Sequence, residues 1–250
     1  MKSLRFLPVS LFMAVLLFLV SCNGNEEKKS TDKITSDSST ATAATPAPPP
    51  TPASTIITSE QNMMLVKSKV ANYAKWKMAY DAHDSVRLSY GCHSFLIGRG
   101  VQDSNTLLVA IKADDMAKAK EFAKSPNLKE AMKKSGVVGA PDMAFVTITY
   151  MDTSTNNANL RSIARFNVKD WAAFQKAFME GKQERMDNGI MLRAYGHDAD
   201  NNNRVTVVTV LSDSAKAVAY WKSDMMKKRR ADAGVIGEPE RFVYHVAARY

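Results

Sequence analysis

The sequence predicts an α+β fold: two tandem copies of a β-α-β-β-α-β unit, packed sheet to sheet as a pseudo-dimer within one chain. Three observations predict it. The chain matches itself at an offset of 98 residues, and each copy runs through the same order of strand-like and helix-like segments. A single unit of that order also leaves one face of its sheet bare and in need of a partner.

The duplication is read by subtraction. Val70 meets Val168, Tyr73 meets Trp171, Trp76 meets Phe174 and Tyr80 meets Phe178. Arg87, Gly91 and Gly98 meet Arg185, Gly189 and Gly196. Gly136-Val-Val-Gly-Ala-Pro141 meets Gly234-Val-Ile-Gly-Glu-Pro239. Roughly one position in four is identical, with no gap, over about eighty residues.

Each copy opens with an apolar run, Met63–Val70 or Leu160–Val168. Aromatics then recur at helical spacing: Tyr73, Trp76 and Tyr80, matched by Trp171, Phe174 and Phe178. Two short strands follow, Cys92–Arg99 and Thr106–Lys112, joined by a polar turn at Asp103-Ser-Asn105. The second copy offers Ile190–His197 and Val205–Leu211, with its turn at Asp198–Asn203. Asp115 and Asp213 suit the N-cap of the next helix, because a short carboxylate accepts from the free amides of a first turn. Ser125-Pro126 restarts a helix, serine as cap and proline at its first position. Gly136 stops it in the left-handed conformation that glycine alone adopts cheaply. Final strands close the copies at Met143–Tyr150 and Phe242–Arg249.

This order is the ferredoxin-like unit. The stretches Tyr73-x-x-Trp76-Lys-x-x-Tyr80-Asp-Ala-His83-x-x-x-Arg87 and Ala123-Lys-Ser-Pro126-Asn-Leu-Lys-Glu-Ala-Met132-Lys-Lys-Ser-Gly-Val-Val-Gly139-Ala-Pro141 resemble the dimeric α+β barrels, in particular the antibiotic biosynthesis monooxygenase-like members. The resemblance covers 62–152 well and 160–250 more loosely. It implies a barrel with a pocket between the aromatic helix and the sheet. It does not choose a function, since the superfamily spans cofactor-free oxygenases, haem proteins, isomerases and cyclases.

The first sixty residues are foreign to the rest. Lys2 and Arg5 precede an apolar run from Phe6 to Val20, which is short for a membrane span and reads as a signal peptide over 1–21. It ends Leu19-Val20-Ser21-Cys22, resembling the bacterial lipobox, so Cys22 is the expected lipidation site and the lipid bilayer an expected partner. The expected location is the bacterial cell envelope, at the outer membrane, and Glu26-Glu27 resembles a surface-export signal. Residues 22–60 are rich in Ser, Thr, Ala and Pro, with too little apolar content to fold. They read as a tether of roughly 35 Å. The expected domains are therefore 1–21, 22–60, 61–152 and 153–250.

The net charge of +9 lies wholly in 61–250 and is shared evenly between the copies, which argues for solubility and against nucleic acid. Lys227-Lys228-Arg229-Arg230 sits late in a predicted helix, where cations suit the dipole. With Cys22 acylated, Cys92 has no intramolecular partner and reads as a small buried hydrophobe.

Trp76, Tyr80, His83 and Arg87 fall on one helical face. His83 and Arg87 are the candidate catalytic pair, His83 as base and Arg87 as anion stabiliser. The second copy keeps Arg185 and Phe178 but replaces His83 by Gly181, which removes the base and opens space. The arginines read equally as structural ion-pairing groups, and the aromatics as core. On the second strand of each copy, His93, Phe95, Ile97 and Arg99, and Met191, Arg193, Tyr195 and His197, are expected on one face, lining a cavity or reaching a sheet edge. The expected ligand-binding set is Trp76, Tyr80, His93, Arg99, Phe178, Arg185, Tyr195 and His197. No metal site is expected: the histidines lack partners at ligand spacing. Asp198-x-Asp200-x-Asn202 begins like a calcium loop but has Asn203 at its sixth position and Thr209 at its twelfth. No cofactor is expected either. Two functions stand ahead of a purely structural role: an anchored module binding a small hydrophobic or weakly acidic ligand as a monomeric pseudo-dimer, and a cofactor-free oxygenase or isomerase acting on an aromatic or polyketide-like substrate.

Overall fold

A computed structural model describes residues 54–155 and 158–250; Cys22, the signal segment and the tether up to Ala53 lie outside the described residues. After a two-residue strand β1 (Ile56–Ile57), the first repeat comprises β2 (Gln61–Val70), α1 (Tyr73–Ala82), α2 (Asp84–Ser89), β3 (Cys92–Gly100), β4 (Thr106–Ala113), α3 (Met116–Lys124), α4 (Pro126–Ser135) and β5 (Val137–Asp152). The second comprises β6 (Leu160–Val168), α5 (Trp171–Glu180), α6 (Lys182–Asp187), β7 (Ile190–Asp198), β8 (Asn201–Leu211), α7 (Ser214–Lys222), α8 (Asp224–Asp232) and β9 (Val235–Arg249).

The helix starts repeat side chain for side chain. Asn72 and Asp170 accept from the amides of Lys75 and Ala173, and Asp115 and Asp213 from those of Lys118 and Lys216. Ser125 and Ser223 accept from Leu128 and Met226. Gly136 ends α4 at φ 86°, in the left-handed region. Each cap satisfies an amide that the first turn leaves without a partner.

Each repeat contributes a four-stranded antiparallel sheet, and the two sheets face one another. They are also stitched at both edges. β3 pairs with β9, with Gly98 opposite Val246, and β7 pairs with β5, with Gly196 opposite Ile148. The eight strands therefore close in the order β5-β2-β4-β3-β9-β6-β8-β7 and back to β5, while β1 is added outside β5. Closure removes the free edges that each half-sheet would otherwise expose. The interior holds an apolar cluster drawn from both repeats, with Leu65, Leu108 and Val146 against Ile163, Ala194 and Tyr244. The opposite face of each sheet carries its helices over a second layer: Met64, Val66 and Phe122 under one set, Phe166, Phe174 and Val207 under the other. Cys92 is fully buried in that layer, and burial pushes its thiol pKa up.

Three expectations need correction. The final strands begin earlier than expected, at Val137 and Val235. The Gly-x-Pro segments do not interrupt them, because Gly139 and Gly237 take φ 73° and 71° in a bulge. Lys67 pairs with Asp142 and Lys69 with Val138, so three residues of β5 stand opposite one of β2. The turn after β7 is Ala199-Asp200 alone, with Asp198 paired to Asn201; a two-residue hairpin leaves the polar Asn201–Asn203 in the strand. Third, β3 and β7 carry a bulge between Ser94 and Leu96 and between Leu192 and Ala194. An extra residue reverses the alternation of faces beyond it. Phe95 packs into the interior while Ile97 lies under the helices, so the residues expected on one face of each strand divide between two.

Candidate functional site

A pocket lies between helices and sheet in each repeat, and every residue lining the first except Met64 has its counterpart at the 98-residue offset lining the second. The first holds about 540 Å³ of empty volume, including its mouth, and is lined by Trp76, Tyr80, His83 and Arg87 together with Phe122 and Met132. The second holds about 710 Å³ and is lined by Phe174, Phe178, Gly181 and Arg185 together with Tyr220 and Arg230. The aromatic stripe forms one wall because α1 and α5 bury that side. Trp76 stacks on Tyr80 at 5.0 Å, and Phe174 on Phe178 at 5.3 Å.

The helix breaks after Ala82, with His83 capping α1, yet Arg87 stays in the pocket by folding back. Its guanidinium lies 3.8 Å from the Tyr80 ring centre and donates through Nη1 to the Tyr80 carbonyl at 2.5 Å and through Nη2 to Asp84 at 2.9 Å. Arg185 repeats the first two contacts: 3.8 Å from the Phe178 ring and 2.6 Å from the Phe178 carbonyl. The arginine shared by both copies thus satisfies a carbonyl at the helix break, which is the structural role. The copies differ at the second nitrogen. Lys182 stands where the first repeat has Asp84, and Arg185 Nη2 is buried with no hydrogen-bond partner. Burial lowers the Arg185 pKa to about 10, although Tyr220 and Glu184 oppose the shift.

Glu184 organises the mouth of the second pocket. One of its oxygens accepts from the Tyr220 hydroxyl at 2.5 Å and the other from Arg229 at 2.9 Å. Arg230 pairs with Glu238 at 2.6 Å, so part of the late basic cluster is committed to ion pairs. Arg241 lies 3.9 Å from the Trp221 ring centre and donates to Ser162 at 2.9 Å. Burial lowers its pKa to about 10. Gly181 leaves less room than expected. An added Cβ would stand 3.0 Å from Arg185 Nη1, so the guanidinium already takes up that space.

His83 bonds Asn127 at 2.6 Å at the rim of the first pocket. Six sequence-predicted residues therefore line the two pockets: Trp76, Tyr80, His83, Arg87, Phe178 and Arg185. The other four do not. His93 pairs with Asp114 at 2.9 Å on the surface, and Arg99 donates to the Ser104 carbonyl at 2.8 Å over the Tyr73 ring. Tyr195 stacks on Tyr150 at 5.3 Å, and His197 meets Trp171 edge-on at 4.9 Å. These contacts engage all four side chains, and none lines either pocket. Among the described residues no group of three or more His, Cys, Asp or Glu side chains comes together. Asp198 and Asp200 are taken by Arg165 at 2.8 Å and Lys120 at 2.6 Å. Sequence reading missed Glu184, Tyr220, Arg229 and Arg241; the one signal was the excess of arginines in the second copy at positions where the first has Ala131, Met132 and Met143.

No protein-family model and no curated protein sequence matches the chain. Solved structures do. An anthrone oxidase-like protein aligns at a TM-score of 0.55 and 13% identity, covering 78% of this chain and 95% of its own. The fold is a dimeric α+β barrel. A candidate chlorite dismutase aligns at 0.53 and 10% identity over 75% and 95% of the two chains. A candidate monooxygenase from Fusobacterium nucleatum aligns at 0.50 and 14%, over 75% and 93%. Here both halves of the α+β barrel come from one chain, so the two pockets are free to diverge in sequence, as Arg87 and Arg185 have in their partners.

Proposed function

We propose that this α+β barrel is a lipid-anchored envelope module that binds a small, weakly acidic ligand with an apolar body in the pocket of its second repeat. The observation that carries the reading is Arg185. Its terminal Nη2 is buried and unbonded beside a wall of aromatic rings, whereas its counterpart Arg87 has both terminal nitrogens bonded to its own helices and leaves its Nε unbonded instead. An unbonded buried donor costs about 1–3 kcal/mol, more when charged, and a ligand carboxylate would recover it. No cofactor is part of the proposal, and an absorption spectrum of the purified protein tests that. The anchor rests on the positive region, the apolar run and the Leu19-Val20-Ser21-Cys22 motif.

Titration calorimetry with 1-naphthoate and its neutral analogue 1-naphthalenemethanol tests the pocket. Naphthoate is expected to bind at least tenfold more tightly, since a hydrogen bond to a charged group contributes about 1.5–3 kcal/mol. Arg185→Met and Arg241→Met should remove that preference; equal affinity for the two compounds in the wild type refutes the reading. For the anchor, Cys22→Ala should abolish labelling by a palmitate analogue, and equal labelling of both proteins refutes it. A second reading, an oxygenase or isomerase for an aromatic substrate, draws on the His83 imidazole at the rim of the first pocket and on the names of the structural neighbours. Oxygen uptake with anthrone, lost in His83→Ala, would favour it.

A further inference from the structure

The barrel interior is a third cavity, separate from both helix–sheet pockets, and its two halves differ in chemistry. It holds about 630 Å³ of empty volume, including its open mouth. Arg161 on β6, Arg193 on β7 and Arg249 on β9 reach into it, with Tyr244 and Thr206 beside them. The 98-residue offset shows what the first repeat places at the same positions. Arg161 takes the place of Met63, Arg193 that of Phe95 and Arg249 that of Met151. Tyr244 and Thr206 replace Val146 and Leu108. Because both halves close on one interior, one wall is apolar and the facing wall is basic.

Among the described residues no carboxylate forms an ion pair with the basic wall. Arg161 is 2% exposed, forms no ion pair among the described residues, and has Nη1 buried without a hydrogen-bond partner. The Thr206 hydroxyl, fully buried, is likewise unbonded. Arg193 donates to the Ser154 carbonyl at 2.6 Å. Asp152 acts on Arg193 electrostatically, but its carboxylate is bonded to the Ser154 amide and forms no ion pair with the arginine. Arg249 is exposed at the mouth. Burial, then repulsion from Arg249, lowers the Arg161 pKa to about 10, and burial of the Tyr244 hydroxyl raises its pKa to about 12. A buried guanidinium is stable only with its donors satisfied, and leaving one unpaired is costly. That cost falls on Arg161, and all three arginines stand at positions that their twins fill with apolar side chains.

We propose that the barrel interior is a second binding site, taking a small monocarboxylate whose apolar tail lies on the Met63–Phe95 wall and whose carboxylate meets Arg161 and Arg249. The tail distinguishes it from a simple oxyanion site, and the carboxylate from a lipid-like apolar cavity.

The probe is hexanoate, titrated calorimetrically into the full chain in detergent, with a protein-free micelle titration subtracted. Hexanoate should bind, with 1-hexanol and inorganic phosphate each at least tenfold weaker. Arg161→Met, which restores the first repeat's residue, should weaken hexanoate at least tenfold while raising the melting temperature of the ligand-free protein, because it removes an unpaired buried charge. Arg249→Met, at the solvent-exposed mouth, should fold normally and also weaken hexanoate, so it decides the matter should Arg161→Met not fold. The proposal is overturned if hexanoate does not bind, if hexanol binds as well, or if both variants keep wild-type affinity. That last outcome, with hexanoate still bound, would place it in a helix–sheet pocket and leave the reading of Arg185 standing.

Discussion

Dividing the chain between its repeats should unfold what remains. In a fragment spanning residues 54–155, the interior side chains of the first repeat lose the facing sheet. Seven of them are large and apolar: Met63, Leu65, Leu96, Leu108, Val146, Ile148 and Met151, each less than 9% exposed in the intact protein. Full burial of such a side chain contributes about 1.5–3 kcal/mol, so complete exposure would forfeit roughly 10–20 kcal/mol. Side chains in one sheet still shield each other, and half of that loss, about 5–10 kcal/mol, is the better figure. It is comparable with the roughly 5–15 kcal/mol by which domains are usually stable. Both seams are lost as well, freeing the edges of β3 and β5 to pair with other chains. Light scattering on size exclusion, with circular dichroism, should therefore find the fragment dimeric, aggregated or unfolded. A folded, monodisperse monomer would refute the closed single-chain barrel.

Further outcomes follow from the same geometry. A Cβ at Gly196 would stand 2.0 Å from the Thr147 carbonyl oxygen and 2.7 Å from Ile148 Cα, across the β5–β7 seam. Gly196→Ala should cost about 3 kcal/mol, the upper end for overpacking, and lower the melting temperature by roughly 6–12 °C. Gly139→Ala meets nothing within 4 Å and should cost only its left-handed strain, about 1–2 kcal/mol; equal losses in the two variants would contradict the seam. Burial alone would raise the Glu184 pKa, but the Tyr220 hydroxyl and Arg229 hold it below its ordinary 4.5. A depressed carboxylate contributes stability that is present above the unfolded value and lost as pH falls through the folded one. Chemical denaturation between roughly pH 5 and 3 should therefore show a shallower loss in Glu184→Gln than in the wild type, and parallel curves would rule the contact out as a stabilising one.

Much of this architecture is local and so is written along the chain. Caps such as Asp115, Ser125 and Gly136 act within four residues, and Trp76 and Tyr80 need only the helical repeat to share a face, while Arg87 lies beyond a helix break and joins them by folding back. The duplication made the same reading available twice, and with it the helix–sheet pockets. What tertiary structure decided is whatever depends on register between strands. A single bulge residue in β3 and in β7 turns Ile97 and Tyr195 from the interior to the helix side, which divides the residues expected on one face of each strand between two. Arg161, Arg193 and Arg249 lie on three strands dozens of residues apart, brought to one face by the pairing of β9, β6, β8 and β7, and that face becomes a cavity because β9 pairs with β3 and β7 with β5. Closure is a long-range pairing with no local signature. Each of these arginines, taken alone on its strand, looks like an ordinary solvent-facing residue until the barrel is shut around it.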